Sequence, residues 1–309
     1  MGAVEARWWE APEYTQGELF LPGQSRLDPD GQALLERIAA DADRGALEIP
    51  PMPKAALGAN RVLRSPEAEL ADVADAIRID PVLTAQVLRY ANSALFGARH
   101  TMDNVSDAVS FLGLRRMREL ITSAALQQVT GEIRSKNYAQ REWRYAIHCA
   151  AIAKALGKRF GVDEEQCYVA GLLQDIGRLP VIRALELHDA LPGEPEADSA
   201  SDIILEALHR GVGVQIAKAW EEPPSIRDAI GKHLVGREPD LDGPAEFPST
   251  RMAEVAGDFC LALGLGRHRR RFAVLESPSI LDLGWSGEEL QAFLEEDLPE
   301  IMERVNGVL

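Results

Sequence analysis

One apolar run, Val169-Ala170-Gly171-Leu172-Leu173-Gln174-Asp175-Ile176-Gly177-Arg178-Leu179, carries an amide and a carboxylate side by side in its middle. A histidine followed by aspartate in such a setting would point to a metal site, because imidazole nitrogen and carboxylate oxygen are the ligands of ions that acidify a bound water for phosphoester cleavage. Here glutamine precedes the aspartate, and a neutral amide is a poor ligand for a catalytic transition metal. Of the six histidines, His148, His209 and His233 fall inside amphipathic helical patterns rather than loops. His148 and Asp175 lie on the two arms of a predicted helical hairpin, so they can face one another across a bundle core, which is how bundles assemble metal sites. Each residue also has an ordinary structural role open to it. A histidine among apolar neighbours commonly satisfies its ring on a backbone carbonyl or a carboxylate. Asp175 and Gln174, followed by Ile176-Gly177, can hydrogen-bond the backbone where the helix breaks, and we expect His148 and Asp175, if they meet, to bond each other or Gln174, directly or through water, with no metal between them.

Helices must position these groups. Asp30 to Ala46 has helical apolar spacing and a Gly45 stop, and the prolines of Ile49-Pro50-Pro51-Met52-Pro53 then force an extended entry into a new domain. Ser65-Pro66-Glu67 is read as starting a helix through Ile77, and Asp80-Pro81 as capping another. A third helix runs from Asn104 to Gly113 and a fourth continues from Leu114. Past a weaker boundary at residues 134–139, a helix carrying Trp143 and His148 ends at Gly161, and Asp163 with Gln166 caps the next. After a Pro- and acid-rich loop at 186–201, helices are expected over Asp202–Arg210, Gly213–Trp220, Ser225–Leu234, Thr250–Leu263 and Ser286–Val305. No run alternates with period two, so the fold class is all-α.

Composition narrows the function. The chain has 309 residues, 46% hydrophobic, enough for a substantial core. A net charge of -16 opposes binding to a phosphate backbone, which argues against nucleic acid as a partner. Cys149, Cys167 and Cys260 show no metal or disulfide spacing and fit a reducing cytoplasm, and the sequence gives no export signal or membrane span. Arg267-His268-Arg269-Arg270-Arg271 is the one cationic concentration; Arg267, Arg269, Arg270 and Arg271 are a candidate anion or partner site, set against the plain reading of a solvated loop neutralised by the acidic tail helix.

Several linked motifs in order carry a resemblance. Ile49-Pro50-Pro51-Met52-Pro53, Ile79-Asp80-Pro81-Val82-Leu83-Thr84, Leu88 to Gly97 with Asn92, Ser93 and Phe96, and Ala108 to Arg116 lead into Trp143, His148, Ala170 to Gly177, His209 with Gly213, Trp220 and His233. Together they resemble the HDOD domain family, a regulatory branch of the HD metal-dependent phosphohydrolase superfamily. The resemblance covers roughly residues 46–240 and implies an all-α HD-like helical array in a bacterial signalling module. It divides the chain into an N-terminal arm and helix (1–45), an HDOD domain (46–245, split into 46–133 and an HD-like 134–245) and a helical C-terminal extension (246–309). In its terms His148 stands where HD enzymes carry their first metal histidine, Asp175 is the aspartate of the HD pair and Gln174 replaces its histidine. His233 matches the first of a later His-His pair whose second member is Leu234, and Glu254 lies near the last metal aspartate. The expected pocket is therefore degenerate: His148, Gln174, Asp175, His209, His233 and Glu254, with no catalytic residue, no metal and no cofactor. By residue types alone, Asn92 caps a helix end and Phe96 packs.

The functional expectation is a non-catalytic signal-transduction module that binds a protein partner or a small phosphorylated ligand. The alternative is a divergent phosphohydrolase using His148, Asp175, His209, His233 and Glu254 on a nucleotide or cyclic dinucleotide. A third reading, nucleic-acid regulation through the arginine run, would show binding that weakens steeply with salt.

Overall fold

Local capping sets where half of the helices begin. In the computed structural model, which describes residues 27–98, 101–195, 199–232, 247–265, 277–307 and 309, Asp28 caps α1 (Pro29–Asp43) by accepting from the Gly31 amide. The expected Asp80-Pro81 start of α4 (Pro81–Ala91) is present, with Asp80 Oδ1 accepting from Val82 and Leu83 N–H at 2.7 and 3.1 Å. Between them lie α2 (Lys54–Leu63), which the sequence reading passed over as part of the proline-rich entry, and α3 (Leu70–Arg78). The latter starts later than Ser65-Pro66-Glu67 suggested, because a capping box between Glu69 and Asp72 defines its first turn.

The third and fourth expected helices are both present and meet where expected: α5 (Val105–Gly131) is kinked at Gly113, whose backbone is non-helical at φ 72° and ψ 169°. Next, α6 (Lys136–Phe160) ends on a left-handed Gly161, and α7 (Glu164–Leu173) begins from Asp163, whose carboxylate accepts from the Gln166 amide at 2.9 Å. The break expected at Ile176-Gly177 is present and begins two residues earlier. Gln174 to Gly177 form a turn, and α8 (Arg178–Leu187) leaves in a new direction.

Where two helices were expected on either side of Gly211, there is one, α9 (Ala200–Ala219). Burial of Val212, Gly213 and Ile216 along one side outweighs the weak helix preference of the two glycines. It is followed by α10 (Pro224–Lys232), α11 (Pro248–Ala262), the short α12 (Pro278–Leu281), and a terminal helix in which α13 (Gly287–Ala292) and α14 (Leu298–Asn306) are joined by a π turn at Phe293–Asp297. The described residues contain no strand, and the fold is all-α.

One apolar core runs from Leu35 on α1 to Ala253 on α11 and takes in Tyr90, Phe96, Ile121, Trp143, Ile147, Tyr168 and Trp220. The proline entry is tied to it by Trp220, whose buried indole N–H donates to the Pro50 carbonyl at 3.0 Å. A second cluster packs α11 and the terminal helices against the outer side of α6, with Phe160, Phe259, Trp285 and Phe293 in ring contact. His148 therefore sits on a helix held between two apolar layers.

Candidate functional site

Glycines bring the site together. A Cβ on Gly171 would lie 2.7 Å from the Cys149 carbonyl, so only glycine lets α7 cross α6 this closely, one residue after His148. Three residues beyond the crossing, the Gln174 to Gly177 turn begins, and it presses on α9. A Cβ on Gly177 would lie 1.9 Å from the His209 carbonyl and 2.4 Å from the Gly213 amide. That contact brings Asp175 to His209, whose Nε2 is 3.4 Å from Asp175 Oδ1, an ion pair when the ring is protonated.

The two imidazoles are oriented alike. Nδ1 of His148 is 2.6 Å from the Arg144 carbonyl, and Nδ1 of His209 is 3.0 Å from both the Leu205 and the Glu206 carbonyls. A carbonyl only accepts, so each Nδ1 carries the hydrogen and each neutral ring presents Nε2 as an acceptor. The ordinary reading of these histidines thus holds for Nδ1, satisfied on its own helix, while Nε2 of His209 faces Asp175. Burial pushes the His148 ring toward its neutral form, lowering it below the usual imidazole range, and the bond to the Arg144 carbonyl opposes this.

No direct bond joins His148 to Asp175 or Gln174. Nε2 of His148 and both side-chain atoms of Gln174 are buried with no hydrogen-bond partner among the described residues, and Asp175 is turned to His209 instead. Asp175 lies past the end of α7, where the Gly177 contact with α9 dictates its direction. The helical register it would share with Gln174 does not.

The remaining candidates divide. Glu254 is buried on α11, whereas His233, Leu234 and the run Arg267 to Arg271 lie outside the described residues. Among the described residues no three His, Cys, Asp or Glu side chains converge to hold a metal ion. Nδ1–H bonded to a backbone carbonyl is the arrangement that orients a metal-ligating histidine. Among the described residues Asp175 and His209 meet and the position beside Asp175 is an amide, so the donors that converge there are too few to hold a divalent ion.

Two features escaped the sequence reading. Arg178, the first residue of α8, is almost fully buried, with Nε 3.1 Å from Glu142 on α6 and a further ion pair to Glu206, one turn before His209 on α9. Its signal was available: it and Asp175 are the only charged residues in the apolar run. The second is Cys149 and Cys260, free, buried, and 3.4 Å apart between sulfurs across α6 and α11. Burial raises the Cys260 thiol well above the usual range, so it is an inert packing group. Nothing in their spacing signals that contact.

The HDOD domain family model matches residues 49–234. A protein of Treponema pallidum (strain Nichols), itself uncharacterized, is 24% identical over 227 residues, spanning 71% of this chain and 43% of its own length. The chain thus spans less than half of the curated relative it matches. Among solved structures, an HDOD domain protein of unknown function from Geobacter sulfurreducens is similar with TM-score 0.66 and 25% identity, covering 91% of this chain and 98% of that one. A candidate metal-dependent phosphohydrolase from Shewanella amazonensis SB2B is similar with TM-score 0.67 and 19% identity, covering 90% and 100%.

Proposed function

This chain belongs to the HDOD family, and from that premise we propose that it is a non-catalytic regulatory module of cytoplasmic signal transduction. In this reading residues 46–245 form the regulatory domain, flanked by an N-terminal arm and a C-terminal extension. A protein partner or a small phosphorylated ligand is recognised through the HD-like pocket of His148, Gln174, Asp175 and His209. In this reading Gln174 stands in the place of the HD histidine, and one observation supports it: the buried Gln174 amide bonds to nothing among the described residues. An amide in that state offers a hydrogen-bond donor and an acceptor to an incoming group but no strong metal ligand. A reducing compartment suits the three free, buried cysteines, and among the described residues no helix is long and apolar enough to cross a membrane.

The second reading, a divergent phosphohydrolase, keeps one observation in its favour: both imidazoles present Nε2 with Nδ1–H fixed on a carbonyl. Incubation of the protein with cyclic dinucleotides and nucleotide phosphates, under several divalent metal supplements, separates the two. No product is expected. Product formation abolished in Asp175→Ala would replace the regulatory reading with the enzymatic one.

A further inference from the structure

The two halves of the pocket ride on different helices. Asp175 follows the end of α7, and His209 lies midway along α9. The far ends of both helices are held by one side chain, Arg118 on α5. Its Nη1 is 2.9 Å from Glu165 Oε1, in the first turn of α7, and its Nη2 is 2.9 Å from Glu222 Oε2, just past the end of α9. Arg118 thus closes a frame whose opposite corner is the Asp175–His209 contact, on the order of 15 Å away along α7.

The surroundings strengthen this frame. The neighbouring pairs run the same way, from α2 and α5 to the ends of α7 and α9. Arg115 pairs with Asp163, Arg64 reaches Glu222 at 3.4 Å and the Glu221 carbonyl at 2.6 Å, and Arg61 pairs with the Glu221 carboxylate at 2.5 Å. The Glu222 side chain is fully buried, so its pairing escapes most solvent screening, and removal of its partner would strand a charge. Glu221 holds a left-handed backbone at φ 58°, a conformation that persists in a non-glycine residue only when its neighbours impose it. Here the turn that closes α9 imposes it, with the Glu221 amide on the Lys218 carbonyl at 3.1 Å and the Glu222 amide on the Ala217 carbonyl at 2.8 Å, and Arg61 and Arg64 bind that turn from α2.

We infer that Arg118 is a positioning residue: it sets the spacing of Asp175 and His209 from the opposite ends of their helices, and so couples α5 to the state of the pocket. The inference concerns geometry and holds whether or not the pocket binds a ligand. Histidine-selective ¹³C labelling tests it, with the ring resonances of His209 compared in wild type, Arg118→Met, Arg118→Lys and Asn92→Ala. The last variant weakens the α4 end without touching α7 or α9. Arg118→Met is expected to shift the His209 ring signals, Arg118→Lys to restore them in part, and Asn92→Ala to leave them in place although it lowers the melting temperature. His209 signals that stay put in Arg118→Met, or that move equally in Asn92→Ala, would overturn the inference. Should Arg118→Met fail to fold, Glu165→Gln and Glu222→Gln each cut one arm of the brace and are judged by the same criterion.

Discussion

Among the described residues two helices have an amide at the C-cap, and the two amides are in opposite states. Asn92 closes α4: its Nδ2 donates to the Leu88 and Met102 carbonyls, both at 2.8 Å, and its Oδ1 accepts from the Met102 amide at 2.7 Å. Gln174 closes α7, more deeply buried, and neither side-chain atom has a partner among the described residues. The first is a structural cap that spends its hydrogen-bonding capacity on holding the chain from α4 to α5. The second costs stability where it sits, because a buried polar group without a partner forfeits about 1–3 kcal/mol. A residue kept at such a cost marks a place where something other than stability is at stake.

The corner around Gln174 is easiest to break at its wall. Gly177→Ala would drive a methyl group into the His209 carbonyl and should destabilise by about 3 kcal/mol. Gly211→Ala, on the open side of α9 with nothing within 4 Å, should instead stabilise by about 0.5–1 kcal/mol. Denaturant unfolding of the two variants reads both effects.

Asn92→Ala removes three hydrogen bonds from a half-buried site and should cost about 2 kcal/mol, read the same way. A loss near zero would remove the structural half of the comparison.

The pH dependence isolates His148. With the ring held below its ordinary range in the fold, the unfolded chain takes up a proton that the native ring refuses. Stability is therefore fully present above about pH 6.5 and falls as pH drops below that toward the folded value, by at most about 1.4 kcal/mol at one unit lower. Unfolding at pH 8 and pH 5.5 should show a smaller difference for His148→Asn than for wild type. An unchanged difference would mean that His148 is not the group responsible.

Gln174→Leu has the smallest expected effect and the opposite sign to Asn92→Ala: no loss, or a gain of up to about 1 kcal/mol. A loss as large as that of Asn92→Ala would place Gln174 among the structural caps and end the contrast.

Much of this was legible in the residues. Asp80-Pro81, Asp163 with Gln166, and Gly161 announced their helix ends because caps act within three or four positions, and Phe96 packs between Tyr90 and Tyr168 as its aromatic character suggested. The continuity of α9 through Gly211 and Gly213 was not legible, since burial of its neighbours overrides the propensity of glycine. Nor was the partner of Asp175. The sequence places it near His148 by hairpin logic, but its direction depends on the Gly177 contact with α9, more than thirty positions away along the chain. The brace at Arg118 was hidden for the same reason: Glu165 and Glu222 lie 47 and 104 positions from it.

The most direct test of the account is the metal content of protein purified without chelator, measured by elemental mass spectrometry for wild type and Asp175→Ala. The account predicts far less than one divalent ion per chain in both. One ion per wild-type chain, lost in Asp175→Ala, would contradict it.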